Sequence, residues 1–99
     1  MSVTDIEITV VATNGLSEFP EKKYIFAPDT LLRKVLNFYE KDHPQFVRPS
    51  NYEYVKFNNQ VDYLDGKNAT RLQPDQGLSV NNVTTGSYFV IRPTQSEPA

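Results

Sequence analysis

The sequence predicts one α+β domain in which a single central helix packs against one face of a mixed sheet of four to five strands. Three observations carry this prediction. One stretch has apolar residues at helical spacing, other stretches alternate apolar and polar residues, and these strand-like stretches lie on both sides of the helical one. With 99 residues, 38% of them hydrophobic, the chain can bury one core and is too short for two independent ones.

The central helix is predicted over Asp29–Asp42. Its apolar residues fall at i, i+3, i+4 and i+7 and so share one stripe: Leu32, Val35, Leu36 and Tyr39. Pro28 favours extended geometry in the residue before it, and the side chain of Asp29 or Thr30 can accept the free amide hydrogens of the first turn. Pro44 stops the helix, and a sheet has to cover its apolar stripe.

Two strands are predicted before the helix. In Ile6–Ala12 the alternation directs three aliphatic side chains toward the helix: Ile6, Ile8 and Val10. Asn14-Gly15 signals a turn, although the connection is longer than a two-residue hairpin loop. In Lys22–Phe26 the alternation alone leaves both orientations open, and we favour Tyr24 and Phe26 as the inward pair.

Two further strands are predicted soon after the helix, beyond an irregular connection. The alternation in Tyr52–Phe57 divides that strand into two sets, with Val55 and Phe57 inward and Tyr54 and Lys56 outward. Val61–Leu64 is predicted as a short fourth strand before a turn at Asp65-Gly66, and residues 67–77 as a loop.

The final strand is predicted over Ser87–Arg92. Its alternation gives Phe89 and Ile91 inward and Tyr88, Val90 and Arg92 outward, and Pro93 ends it. The predicted domain therefore spans residues 6–92. Residues 1–5 are predicted to be a flexible N-terminus and residues 93–99 a disordered C-terminal tail.

Composition narrows the range of partners. A net charge of -2 and a pI near 5.3 argue against nucleic acid or an anionic membrane surface as a partner, because both require a dense positive face. The chain has no cysteine, which removes thiolate nucleophiles, disulfides and cysteine zinc sites together. It also lacks a secretory leader and any apolar run long enough to span a bilayer, so we expect a soluble, cytoplasmic protein.

The stretch from Gly77 to Arg92, which reads GLSVNNVTTGSYFVIR, resembles the C-terminal part of ubiquitin-like domains. In that family a Leu-Ser start, an Asn-aliphatic pair and a polar turn precede a central last strand. The upstream order also fits, with Pro28-Asp29-Thr30 before the helix and Tyr54–Phe57 before a small polar turn and Gln60. The resemblance covers nearly the whole chain and implies a ubiquitin-like β-grasp fold.

The resemblance also implies a recognition patch on the sheet face away from the helix, at the outward positions of strands one, three and five. In this chain the predicted protein-binding residues at those positions are Tyr54, Lys56, Tyr88, Val90 and Arg92, together with Val11. Tyrosine and arginine are enriched where proteins dock. The competing interpretation is that these residues form ordinary cross-strand pairs on a solvated face.

Other polar residues have simpler interpretations. His43 is the only histidine, so it cannot assemble a catalytic triad or a zinc site by itself, and we expect it or Lys41 to complement the helix dipole. Asp62 and Asp65 lack the ligand spacing of a calcium loop and are interpreted as turn residues. The four glycines stand alone and form no phosphate-binding loop, so we predict neither a cofactor nor an enzyme.

Modifiers of the ubiquitin type end in an exposed Gly-Gly, whereas no glycine follows Gly86 here. The resemblance therefore implies a protein that acts by noncovalent contact through its sheet face, as an adaptor or as a subunit of a larger assembly. Two alternatives stay open. One is a modifier whose tail after Arg92 is trimmed or conjugated atypically, and the other is a regulatory subunit that binds beside the active site of a larger enzyme.

Overall fold

The structure, a computed structural model, describes residues 5–14 and 18–94. Its elements in chain order are β1 (Ile6–Ala12), β2 (Lys22–Phe26), α1 (Leu32–Asp42), β3 (Tyr52–Phe57), α2 (Gln60–Asp65), β4 (Thr70–Arg71) and β5 (Tyr88–Pro93). The strands form one mixed sheet in the order β2-β1-β5-β3-β4. β5 is central, parallel to β1 and antiparallel to β3. The predicted α+β class is confirmed, with a second helix that the sequence interpretation missed.

Helix α1 packs on one face of this sheet through the predicted stripe. Its buried residues are Leu32, Val35, Leu36 and Tyr39, and none of them is exposed to solvent. The helix begins at Leu32 without a side-chain cap, because residues 27–30 instead form a turn closed by the Thr30 amide and the Ala27 carbonyl. At its end the His43 amide donates to the Tyr39 carbonyl, and the two rings stack with centroids 4.0 Å apart.

Strands β1, β2 and β5 have the predicted orientations. Their side chains in or against the helix-side core are Ile6, Ile8, Val10, Tyr24, Phe26, Phe89 and Ile91. The core is closed at one end by Phe19 and Phe46, whose rings meet edge to face at 5.1 Å. The Tyr39 hydroxyl donates to the Pro20 carbonyl, which ties the long connection between β1 and β2 to the helix.

The predicted orientation of strand β3 is wrong. Tyr54 lies in the helix-side core with 4% of its surface exposed, whereas Val55 and Phe57 lie on the opposite face. The strand reads Tyr-Glu-Tyr-Val-Lys-Phe and carries apolar side chains at both phases of the alternation, so the pattern does not decide between them. The phase follows from packing, since the Tyr54 ring contacts the rings of Phe89 at 5.5 Å and Tyr52 at 5.7 Å.

The predicted fourth strand, Val61–Leu64, is instead part of the short helix α2. The Asn59 side chain caps it by accepting a hydrogen bond from the Asp62 amide at 2.9 Å. Gly66 ends it in the left-handed conformation, with φ at 67°. The Asp65-Gly66 pair is therefore a helix C-terminus. Beyond it, the predicted loop contains the two-residue strand β4.

Strand β5 extends one residue beyond its predicted end. Pro93 pairs with Tyr52, and the Thr94 amide donates to the Asn51 carbonyl at 3.1 Å. The first two residues of the predicted tail therefore continue the sheet, whereas residues 95–99, like the predicted flexible residues 1–4, lie outside the described ones. Over the described ranges no helix has the length and apolar character needed to cross a membrane.

The orientation of β3 yields a stability prediction. Tyr54→Ser should lower the free energy of unfolding by about 3 kcal/mol or more, because it removes a buried aromatic ring from the helix-side core. Val47→Ser serves as the control, since Val47 is 75% exposed and its replacement should change stability by less than about 0.5 kcal/mol. Urea denaturation followed by circular dichroism measures both, and equal midpoints would contradict the assigned orientation.

Candidate protein-binding surfaces

The five residues predicted to bind a partner do not form one exposed surface. Tyr54 faces α1 and is buried, which corrects its predicted outward position, and Lys56 lies on the same side with its Nζ donating to the Asn82 carbonyl at 2.6 Å. Tyr88 and Val90 face away from α1 as predicted but are only 7% and 5% exposed. Arg92 is half-buried, and its Nε donates to Glu53 at 2.7 Å. Partner contact by any of the five stays a prediction.

The sheet face opposite α1 carries a second core, defined here as Val11, Val55, Phe57, Tyr88 and Val90. Helix α2 covers part of it through the Tyr63 side chain. The Tyr63 ring stacks on Tyr88 with centroids 5.0 Å apart and meets Phe57 edge to face at 5.5 Å. Burial raises the pKa of both tyrosines, so both phenols are neutral at physiological pH. This face is therefore largely closed by the chain itself.

An ion-pair network lies at the other end of the second core. Glu53 accepts from Arg92 at 2.7 Å and lies 3.5 Å from Arg71, which reaches it from β4. Both arginines are substantially exposed, so each pair contributes at most about 1 kcal/mol. The network lies beside Val55 and Val90 because Glu53 pairs with Arg92 in the ladder of β3 and β5.

An accessible aromatic surface lies at the other edge of the sheet, between β2 and α1. Strand β2 is an edge strand and pairs only with β1, so alternate backbone groups on its outer side have no strand partner among the described residues. Phe38 on α1 is 41% exposed and packs edge to face against Phe26 at 5.6 Å. Tyr24 stacks beside Phe26 at 5.6 Å. We call Tyr24, Phe26, Phe38 and the outer edge of β2 the β2–α1 groove.

Lysines line the helical side of this groove. Lys34 and Lys41 lie four residues before and three after Phe38, so they share its face of the helix. Both are exposed, and in the described part of the chain neither forms an ion pair. Lys23 on β2 is also exposed, but it alternates with Tyr24 and so lies on the face of the strand away from α1. The groove therefore combines aromatic surface, free backbone hydrogen-bonding groups and positive charge.

A hydrogen-bonded cluster closes one end of the groove. The Tyr24 hydroxyl donates to Asp42 Oδ2 at 2.6 Å, and Lys22 Nζ lies 3.0 Å from the same oxygen. The Tyr24 hydrogen bond and then the Lys22 contact lower the pKa of Asp42 below its ordinary value of 3.8. Burial and Asp42 raise the pKa of Tyr24 far above its ordinary value. This cluster holds β2 and the end of α1 at a fixed spacing.

Within residues 5–14 and 18–94 no group of three or more histidine, aspartate or glutamate side chains could hold a metal ion. His43 is packed on Tyr39, and its Nδ1 lies 3.0 Å from the Tyr39 carbonyl oxygen, which fixes the ring at the helix end. Lys41 occupies the last turn of α1, where its charge complements the dipole as expected.

Sequence reasoning missed the groove, although one signal was available. Phe38 falls outside the buried stripe of α1, so an aromatic residue at that position has to lie at the margin of the helix–sheet interface. The position of β2 at the sheet edge could not be read from the sequence, because it depends on β5 pairing with the other side of β1.

No protein-family model matches the sequence, and no curated protein matches it either. Among solved structures, the fold is similar to the solution structure of a ubiquitin-like domain from tubulin-binding cofactor B. The TM-score is 0.56, and the match covers 92% of this chain and 93% of that chain at 11% sequence identity. At this identity the likeness concerns the fold alone. It confirms the ubiquitin-like β-grasp fold that the sequence resemblance implied.

The depressed pKa of Asp42 predicts how the groove responds to acid. The carboxylate is favoured in the native state, so its contribution to stability is full above about pH 4 and is lost as pH falls through the native pKa. Asp42→Asn should remove that part of the acid sensitivity, whereas Asp75→Asn, at an exposed residue without a described ion pair, should not. Urea midpoints at acidic and neutral pH test this, and an unchanged acid sensitivity in Asp42→Asn contradicts it.

Proposed function

We propose that this protein is a ubiquitin-like binding module that acts by noncovalent contact and that its β2–α1 groove receives an extended segment of a partner protein. The observation that carries the proposal is the free edge of β2 beside an exposed aromatic side chain, Phe38. Backbone hydrogen bonds from an added strand give affinity, and side-chain contacts beside the edge give specificity. The sheet face predicted from the sequence is a different surface, and partner contact through it stays a prediction.

The charges of the groove favour an acidic partner. Lys34 and Lys41 lie beside Phe38 and have no anionic partner among the described residues. The nearby carboxylate of Asp42 is paired with Lys22 instead. Complementary charge raises the association rate and selects among partners. Lysines on an edge strand also discourage pairing between identical edges, so Lys22 and Lys23 favour an acidic segment over a second copy of β2.

A non-enzymatic role accords with the residues available for chemistry. The chain has no cysteine and one histidine, and that histidine is engaged in packing at the end of α1. The structurally similar domain comes from a protein named as a tubulin-binding cofactor, which supports a role in protein contact. A cytoplasmic location forms part of the proposal and is compatible with a chain free of cysteine.

The proposal predicts binding of a synthetic peptide that joins a short aliphatic run to several aspartates. In a titration followed by NMR, amide shifts should concentrate in β2 and the adjacent face of α1. Phe38→Ala should weaken binding by about tenfold, because it removes the exposed aromatic contact. The double variant Lys34→Glu with Lys41→Glu should weaken it further, and added salt should no longer lower the affinity, because repulsion has replaced attraction.

Two controls make this test specific. Lys67→Glu makes the same charge change at an exposed lysine beyond α2 and should leave the affinity unchanged. A peptide with lysines in place of the aspartates should bind at least about tenfold more weakly. Shifts centred on the second core, or equal binding of the two peptides, would refute the proposed surface.

A further inference from the structure

The second core is covered by a helix with little attachment of its own. Helix α2 buries no residue, and its Val61 and Leu64 side chains are 65% and 71% exposed. Tyr63 is the described residue of α2 that packs against the second core. One aromatic side chain of this six-residue helix, Tyr63, thus covers part of a cluster of five buried apolar residues.

The backbone hydrogen bonds of this segment are local. Between residues 58 and 69 the described bonds outside the helix ladder join Tyr63 to Asn59, Gly66 to Tyr63 and Lys67 to Asp62. The described side-chain hydrogen bonds are also local, with one exception. The Asn59 side chain accepts from the Asp62 amide, and the Asn68 side chain donates to the Asp62 carboxylate. The exception joins the Tyr63 hydroxyl to Glu18 at 3.4 Å. Displacing α2 therefore breaks no described backbone bond of the sheet.

Both ends of the segment have the geometry of a turn. At the C-terminal end Gly66 and Asn68 adopt left-handed backbone conformations, with φ at 67° and 58°. At the N-terminal end residues 58 and 59 form a bend between β3 and α2. Because the described backbone hydrogen bonds of α2 are local, its displacement would leave the pairing of β3 with β4 intact.

We propose that α2 is a hinged cover that closes the second core through Tyr63 and that its opening exposes an apolar sheet face. The device goes beyond the proposed binding function, because the β2–α1 groove lies at the sheet edge and on the opposite side, and stays accessible whether the cover is open or closed. In the closed state Tyr63 occupies the site between Phe57 and Tyr88. In the open state the same site and the adjoining aliphatic residues meet solvent.

A pair of single-cysteine variants tests the cover, because the chain contains no cysteine of its own. Val11 and Val10 are neighbours on β1, both buried, with Val11 in the second core and Val10 in the helix-side core. Under native conditions a thiol reagent should modify Val11→Cys at least about 100-fold faster than Val10→Cys. If α2 covers the whole second core as proposed, the first thiol is reached by local opening of α2 and the second only by global unfolding.

The role of Tyr63 is tested in the same background. Tyr63→Ala should raise the modification rate of Val11→Cys by about tenfold, and Tyr63→Phe, which keeps the ring, should leave it nearly unchanged. If Val11→Cys does not fold, Val90→Cys on β5 takes its place, since Val90 pairs with Val11. Equal modification rates on the two faces, or a rate that Tyr63→Ala leaves unchanged, would overturn the proposal. Neither result would affect peptide binding at the groove.

Discussion

The packing of one helical stripe against the middle of the sheet is the interaction on which the rest of the structure depends. Leu32, Val35, Leu36 and Tyr39 are fully buried, and they face strand residues that are equally buried on β1 and β5. An 11-residue helix is marginal by itself in water, so this apolar contact is what keeps α1 helical. The end of the helix then positions Asp42 beside Tyr24, and its outer face positions Phe38 beside β2.

Much of this arrangement could be predicted from the sequence because one strong periodic signal organises it. The helical stripe and the orientation of β1 follow from patterns with one dominant phase, whereas the alternation in β2 leaves both orientations open and the β-grasp fold is implied by the resemblance to ubiquitin-like domains. The sequence of β3 does not decide which side chains face the helix. Tyr52 and Tyr54 are apolar enough for one orientation, and Val55 and Phe57 for the other. Only contact with Phe89 decides between the two, and that contact spans 35 positions of the chain.

The candidate binding surfaces were harder to predict than the fold. Whether a strand lies at the edge of a sheet depends on long-range pairing, and whether a side chain is covered depends on what folds over it. With Val61–Leu64 predicted as a strand, no predicted element covers the sheet face away from α1, and that face is therefore predicted to be open. Recognising Asn59 as a helix cap and Gly66 as a helix end would have placed Tyr63 on a helix and revealed a possible cover.

The cores on the two faces of the sheet consequently differ in size and in what covers them. The face toward α1 is a rigid core built from long-range contacts of many residues. The opposite face is a smaller cluster closed partly by a local helix with few attachments. The proposed opening of α2 would let the domain keep its fold while one part of it rearranges.

The central position of β5 has a consequence for how the chain folds during synthesis. Among the described residues β1 and β3 do not pair with each other and are joined in one sheet through β5, the last of these strands along the chain. Until β5 has been synthesised, the chain can form the β1–β2 hairpin and a helix, but it lacks the central strand of the sheet. We therefore expect the sheet to be completed only after β5 has been synthesised, so that its long-range pairing forms late.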